Sequence, residues 1–423
     1  MIFLIFMLLG LLAAGCASQP PSVPAAYADG SVTFSDQVVR VFQRHCQECH
    51  RPGEVAPFSL LTYRDAHPWR QQILEMVRTR KMPPWKAVPG YGEFRDGRRL
   101  TEAEIDLIAR WVETGAPEGD PRDLPAPKRF PSEWALGRPG LVLAMREPFT
   151  VPARSQDIYR CFVIPIRVGD NRFIQASEVL PGNRKIVHHV VTFLDVTGRA
   201  SELDGRDGRP GYTCFGGPGF QSTGGLGGWA PGAPPLEIPS GVAWAISPGA
   251  QLVMQVHYHN PGDTAETDLT RVGLHFTRPP FDSRLHRVRV VTWNFSIPAG
   301  ATRHRISAQY VLQPSDEMEA TSIHAHMHLL GRAVNVTARF PDGRMEPLLR
   351  IDDWDFNWQL RYPYKRPVRL PAGTLIEAEC FYDNSADNPH NPNSPPQVVT
   401  SGFETTDEMC VVSILGTASL TRR

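Results

Sequence analysis

The spacing of apolar residues changes character once along the chain. Between residues 30 and 120 it is helical. Val38, Val39, Val41 and Phe42 form the apolar side of a segment that Ser35 can cap and that runs to Cys46. Ile73, Leu74, Met76 and Val77 predict a second helix over residues 64–80. Thr101-Glu102-Ala103-Glu104 reads as a capping box ahead of Ile105, Leu107, Ile108, Trp111 and Val112, with a stop at Gly115. Residues 115–140 are rich in Pro, Gly and charge and read as a linker. Beyond them short alternating runs predict strands at 159–166, 172–179, 186–194, 251–259, 288–295, 332–340, 375–382 and 410–415. Turns rich in Pro and Gly separate these strands, the pattern of all-β sandwiches or jelly rolls. A change near 279–282 or 298–300 divides that region in two.

Composition adds little to this picture. The 423 residues carry 44 acidic and 44 basic side chains without a long charge run, so nothing points to nucleic acid. Residues 2–12 are apolar but too short for a dependable membrane span. They end in Leu12-Ala13-Ala14-Gly15-Cys16, which resembles a bacterial lipobox, with Cys16 as the lipidated residue. An ordinary secretory signal cut nearby is the alternative, and residues 1–4 lack the usual positive charge. Either reading predicts export to the periplasmic side of a membrane or the cell surface, with disulfides permitted. The expected organisation is multidomain: a signal peptide at 1–16, a tether at 17–29, a small all-α domain at 30–120 and a linker at 121–145. Two all-β jelly-roll-like sandwich domains follow, at 146–283 and 284–423.

Cys46-Gln47-Glu48-Cys49-His50 is a C-x-x-C-H motif inside the helical region. Two thioether-forming thiols and an adjacent imidazole suit a covalently bound c-type haem. A redox or zinc C-x-x-C is the competing reading, against which the adjacent His, the export signal and the helical frame all count. Met82, in Lys81-Met82-Pro83-Pro84-Trp85, resembles the methionine loop of small class I cytochromes c and is the expected second axial ligand. Met76 competes, but its helical context suits the core. A His/Met pair leaves no open position, so this domain is expected to carry electrons. His45 and His67 read as surface or packing residues.

Seven of the fourteen histidines fall into three tight clusters: His188-His189, His257-His259 and His324-His326-His328. Residues two apart on a strand share a face, so His324, His326 and His328 point one way, as do His257 and His259. His188 and His189 diverge in a regular strand and can reach one ion only at a strand end or bulge, or with rotamers bent together. Such clustering predicts metal binding. Setting aside Cys16, Cys46 and Cys49, four cysteines remain, Cys161, Cys214, Cys380 and Cys410, with three possible pairings.

Five pieces in order resemble the copper type II, ascorbate-dependent monooxygenases. They are Ile186-Val187-His188-His189-Val190-Val191, Gly228-Trp229-Ala230-Pro231-Gly232, Val256-His257-Tyr258-His259-Asn260-Pro261, His326-Met327-His328-Leu329-Leu330-Gly331-Arg332 and Asp407-Glu408-Met409-Cys410. The resemblance runs from about Phe149 to Leu415 and implies two jelly-roll-like domains, each with one copper ion. It implies His188, His189 and His257 at an electron-storing copper, and His326, His328 and Met409 at the copper that meets O2. The soft thioether of Met409 suits Cu(I) independently of the resemblance. It also implies the disulfides Cys161–Cys214 and Cys380–Cys410, and leaves His259 and His324 outside the ligand set. Where the peptidylglycine member of the family clamps a carboxylate with Arg, Asn and Tyr, this chain has His324, Val411 and Ser413. The implied activity is hydroxylation of a C–H bond in a small, partly apolar organic substrate. Two copper ions, one haem, O2, an external electron donor and a membrane met through the lipid anchor complete the expectation. A non-catalytic copper/haem electron-transfer lipoprotein is one alternative. A zinc hydrolase using His324, His326 and His328 is another.

Overall fold

The computed structural model describes residues 31–420 apart from Asp96 and Ser132. The expected lipidation at Cys16 and the tether lie outside the described residues. Most of the chain is β-sheet, arranged as two sandwich-like units, with short helices before them. Among the described residues no helix is long and apolar enough to cross a membrane.

The helical region has its own core, from Val32 and Phe34 through Phe42, Ile73, Leu74 and Trp111 to Ala116. It opens with a π-helical turn, Phe34–Val38, that runs into α1 (Val39–His45). The cap is Thr33, whose hydroxyl accepts from the Asp36 amide, and the expected cap Ser35 is buried instead. The expected 64–80 helix is broken into α2 (Tyr63–Ala66), a 3-10 turn (His67–Trp69) and α3 (Arg70–Arg78). Pro68 has no amide hydrogen to continue the ladder, so the chain tightens there. The capping box forms in both directions at the start of α4 (Glu102–Glu113), with Thr101 Oγ1 accepting from the Glu104 amide and Glu104 Oε2 from the Thr101 amide. Gly115, at φ +94°, provides the left-handed exit.

One segment of this region belongs elsewhere. Ala87 and Phe94 are buried in the core of the second β unit, and Trp85 and Phe94 pack on Tyr362 at 5.2 and 5.3 Å. Backbone hydrogen bonds from Val88 to Arg350, Arg95 to Pro363 and Lys365 to Glu93 stitch the strap down. Its alternation of apolar and polar residues is too short to distinguish from a loop in the sequence.

The first β unit stacks two sheets. One runs Leu141–Ala144, Arg271–Thr277, Arg172–Leu180, Ala245–Ile246, with Leu236–Glu237 also on Arg172–Leu180. The other runs Tyr212–Thr213, Ser155–Pro165, Gln251–Asn260, Val187–Asp195, Gly228–Trp229. The strand Leu141–Ala144 lies inside the stretch read as linker, because Leu143 and Met145 are core residues of this unit. Leu252, Met254, Val256 and Tyr258 fill the same core, which turns Val253, Gln255 and His257 to the opposite face.

In the second unit one sheet runs Arg361–Leu370, Met318–His326, Cys410–Ser419, Ser283–Thr292, Val242–Ala243. The other runs His304–Val311, Leu375–Tyr382, Gly331–Arg339, Met345–Ile351. The short Val242–Ala243 strand comes from the first unit and pairs in parallel with Ser283 and Arg284, joining the two β units through a shared edge. Both expected disulfides are present, Cys161–Cys214 and Cys380–Cys410. The second ties together the two sheets of its sandwich.

Candidate metal centres

Adjacent His188 and His189 share a face because the strand is bulged there. His257 pairs with His189, and the next partners are Tyr258 and Val187, so His188 is the extra residue. The result is a convergence of three imidazoles. The Nδ1 atoms of His188 and His257 each lie 3.2 Å from Nδ1 of His189. One ligand atom from each of the three falls within 4.8 Å of the others. A proton can satisfy one such pair of nitrogen lone pairs but not three, whereas a metal ion satisfies all of them. Burial and neighbouring His257 hold His188 down at about 4, and burial lowers His189 well below its ordinary value. Both rings are therefore neutral, as ligation requires.

The residues around this cluster orient it. Tyr159 stacks on His257 at 4.2 Å and 7°. Asp157 Oδ1 lies 3.3 Å from His257 Nε2 and 2.9 Å from His259 Nδ1. Those contacts hold the Asp157 carboxyl at about 2, the His257 bond being the largest cause. The contact with His257 lacks hydrogen-bond geometry, but a carboxylate beside Nε2 favours the proton there and leaves Nδ1 as the lone-pair nitrogen. His259 is exposed and serves the carboxylate, not the cluster. Asp157 and Tyr159 sit two apart on the strand beside His257, a spacing that is visible in the sequence only once the strand pairing is known.

In the second unit the register pairs His324 with Ser413 and His326 with Val411. The paired strands end at His326 and begin at Cys410, and His328 and Met409 lie just beyond these ends, both buried. The rings of His326 and His328 are 4.9 Å apart. Each uses Nδ1 in a hydrogen bond, His326 with Gln359 Oε1 and His328 with the Asp407 carbonyl at 3.0 Å, which frees both Nε2 atoms. Burial lowers His326 to about 4 and His328 below its ordinary value. Fully buried Glu408 accepts from the amides of His328 (2.8 Å), Leu330 (2.7 Å) and Met409 (3.1 Å). One carboxylate thus joins the two segments that carry the candidate ligands. Burial nevertheless pushes it up to about 8. The Tyr382 hydroxyl donates to the Met409 carbonyl at 2.9 Å, beside the Cys380–Cys410 disulfide. Sequence reading missed Gln359 and Glu408, and the Glu preceding Met409 was the available signal.

The two clusters are close enough to act on each other electrostatically. His326 is near enough to His189 to disfavour its protonation, and Asp355 of the second unit acts on His188.

Residues 288–416 match the C-terminal domain of the copper type II ascorbate-dependent monooxygenases. His326, His328 and Met409 fall inside that match. Over 289 residues, 64% of this chain, it is 26% identical to the peptidyl-glycine alpha-amidating monooxygenase of Mus musculus. It is 25% identical to the corresponding protein of Rattus norvegicus over the same length. The chain covers 26% of each relative's length. These matches support the monooxygenase family, whose members are O2-using copper oxidoreductases. Both imidazole clusters fit copper, since imidazole nitrogens suit an ion that changes oxidation state. His324, His326 and His328 form no three-ligand convergence like that of the first cluster among the described residues, which weighs against the zinc hydrolase reading.

The Cys46–His50 motif lies at the end of α1. Cys46 and Cys49 are unpaired thiols, and burial pushes Cys46 up to about 12 and raises Cys49. Such thiols are poor redox nucleophiles. Cys46, Cys49 and His50 do not converge as a zinc site does among the described residues. His50 Nδ1 lies 3.1 Å from the Phe58 carbonyl, its pKa is lowered by burial, and its Nε2 is left free. These features count against a redox or zinc C-x-x-C and leave one imidazole nitrogen of His50 available as a ligand. Met82 follows α3, its amide bonded to the Met76 carbonyl at 3.1 Å.

Proposed function

We propose that the chain is an exported copper-dependent monooxygenase that hydroxylates a C–H bond of a small organic substrate, with electrons delivered by its own c-type haem domain. The observation that carries this reading is the pairing of two distinct imidazole clusters, on outward faces of adjoining sandwiches, with the family match over the second. His188, His189 and His257 would hold one copper through Nδ1. His326 and His328, through Nε2, and Met409 would hold the other. Bound copper supplies one-electron redox chemistry and O2 activation. The protein's part is to keep the imidazoles neutral and oriented through Asp157, Gln359 and the Asp407 carbonyl. Cys46, Cys49, His50 and Met82 would hold the haem, and Cys16 would anchor the chain to a membrane.

The contacts around the motif support electron delivery. Arg184, four residues before His188, has Nη1 2.6 Å from both oxygens of Glu54, which is four residues past His50. Arg98, which acts on Cys49, donates to the Gly232 carbonyl. The segment around the Cys46–His50 motif is therefore docked on the unit that bears the three-histidine cluster. Metal analysis and EPR test the reading. Two type 2 copper ions, one haem and substrate-dependent O2 uptake are expected. Copper without any O2 uptake returns the electron-transfer alternative, and zinc in place of copper rejects both.

A further inference from the structure

Each sheet of the second unit ends in an edge strand, Met345–Ile351 in one and Arg361–Leu370 in the other. Residues 352–360 join these two strands, and that loop touches the second histidine cluster. Trp354 Nε1 donates to the His328 carbonyl at 3.2 Å, the Phe356 ring stands edge-on to His328 at 6.0 Å, and Gln359 Oε1 meets His326 Nδ1. Gln359 is held in turn by its Nε2, which donates to the Phe356 carbonyl at 2.8 Å. An edge strand presents unpaired N–H and C=O groups along one side. Left open, such a strand frays, and a loop joining two of them shares that freedom. The orientation of both imidazoles then depends on what covers the two edges.

Residues 85–95, from the helical region, cover them. Ala87 bridges to Ile351 on one edge and Phe94 to Tyr364 on the other, so this segment crosses from sheet to sheet and brackets the loop. The Val88 amide donates to the Arg350 carbonyl at 2.8 Å and the Arg95 amide to the Pro363 carbonyl at 2.7 Å. Phe94 stacks on Tyr364 at 5.2 Å, and Arg350 Nη1 donates to the Tyr91 hydroxyl at 2.8 Å. Gly92 permits the close approach. At φ +82°, a Cβ there meets the Leu348 carbonyl oxygen at 2.5 Å and the Phe94 ring at 2.6 Å. Gly90, at φ +84°, has open space around it. The two glycines share one backbone conformation, but only Gly92 lies hard against the second unit.

We infer that residues 85–95 are a positioning strap for the His326/His328 centre. Gly92 and Phe94 seat the strap on the two edges, the edges hold the 352–360 loop, and the loop orients both imidazoles through Trp354 and Gln359. The strap acts through the loop and not by ligation. The helical region therefore completes the second centre, a part it plays in addition to any electron transfer. The inference rests on the proposed metal-binding role of His326 and His328, but not on the reaction carried out there.

The test uses the full chain, first without copper and then with Cu(I). Hydrogen exchange of the copper-free protein reads the seat of the strap. In Gly92→Ala and in Phe94→Ala the amides of Val88, Arg95 and residues 352–360 are expected to exchange about tenfold faster than in the wild type. Gly90→Ala carries the same left-handed strain without the clash and is expected to change them far less. Competition titration against a Cu(I) chelator reads the centre. In a His257→Ala background, where the second cluster is the intact one, Gly92→Ala or Phe94→Ala should weaken Cu(I) binding about tenfold, and Gly90→Ala should not. In a His326→Ala background, where the first cluster is the intact one, the same strap substitutions should leave Cu(I) affinity unchanged, which a general loss of folding does not do. Faster loop exchange with unchanged affinity at the second cluster, equal losses at both clusters, or loop exchange unmoved by both strap substitutions overturns the proposal. These strap effects in a protein that takes up no O2 with any substrate count against the monooxygenase reading and leave the strap standing. Hydroxylation of a substrate, with Cu(I) affinity unmoved by the strap substitutions, does the reverse.

Discussion

Glu408 shows how much a single side chain holds at the second cluster. Its two oxygens accept three amides, from His328, Leu330 and Met409, in a fully buried setting. Above about pH 8, where the carboxyl is ionised, Glu408→Gln replaces one acceptor by an NH2 group facing N–H donors. The expected cost is about 1–3 kcal/mol of stability, the usual penalty for buried donors left unpaired. Thermal unfolding of the copper-free protein measures it, and an unchanged midpoint removes the role given to Glu408. Met409 makes a complementary prediction. Met409→Leu keeps nearly the same volume, so unfolding should barely change. X-ray absorption of the reduced, copper-loaded protein should then lose a copper–sulfur shell present in the wild type. No such shell in the wild type excludes Met409 as a ligand. The histidine clusters were legible because histidine is uncommon and their spacings match strand periodicity. Glu408, Asp157 and Gln359 were not, because a carboxylate or amide acquires its role only from the strand placed beside it.

Elements were legible where their signals are local. The capping box before α4 is such a case, since both partners lie within four residues. Burial works against Glu104 ionisation, but bonds from His45, the Thr101 amide and Arg44 outweigh it and hold the carboxyl at about 2, against an ordinary 4.5. The stabilisation from a depressed carboxyl is complete above its unfolded pKa and is lost as pH falls from about 4.5 toward about 2. Glu104→Gln should therefore destabilise the helical region by about 1–2 kcal/mol at neutral pH and much less near pH 2, the difference being read from unfolding curves at the two pH values. A pH-independent difference rejects this account. Other elements depend on distant partners and were not legible. The bulge at His188 exists because Tyr258 pairs with Val187, 71 positions away in sequence. The strap around Ala87 and Phe94 finds its partners in Ile351 and Tyr364. The strand carrying His324 and His326 begins at Met318, in a stretch whose mixed polar residues hide its alternation.

At the scale of the whole molecule, the Cys46–His50 motif, the three-histidine cluster and the second cluster occupy three packed units, and the contacts between units are specific. Glu54 is held on both sides, by Arg51 at 2.8 Å and by Arg184 at 2.6 Å, and is only 11% exposed. A charge-assisted, two-oxygen contact of this kind fixes orientation as well as proximity. Arg184 also lies over Trp229, on the strand that pairs with Val190. Under the proposed function this contact sets the geometry for electron delivery within one chain. Reduced protein carrying haem and copper, mixed with O2 and substrate, is then expected to reoxidise its haem at a rate independent of protein concentration. Arg184→Met removes the contact and should slow that rate several-fold. Arg184→Lys, which keeps the charge on a shorter side chain, should fall between. Asp353→Asn, which breaks the Lys86 ion pair on the second β unit, should leave the rate near that of the wild type. Stopped-flow absorbance at the haem bands reads all four proteins, and copper content measured beforehand separates slow transfer from an empty acceptor. A rate that rises with protein concentration, or one untouched by Arg184→Met, shows that electrons reach the histidine cluster by a route other than this docked surface.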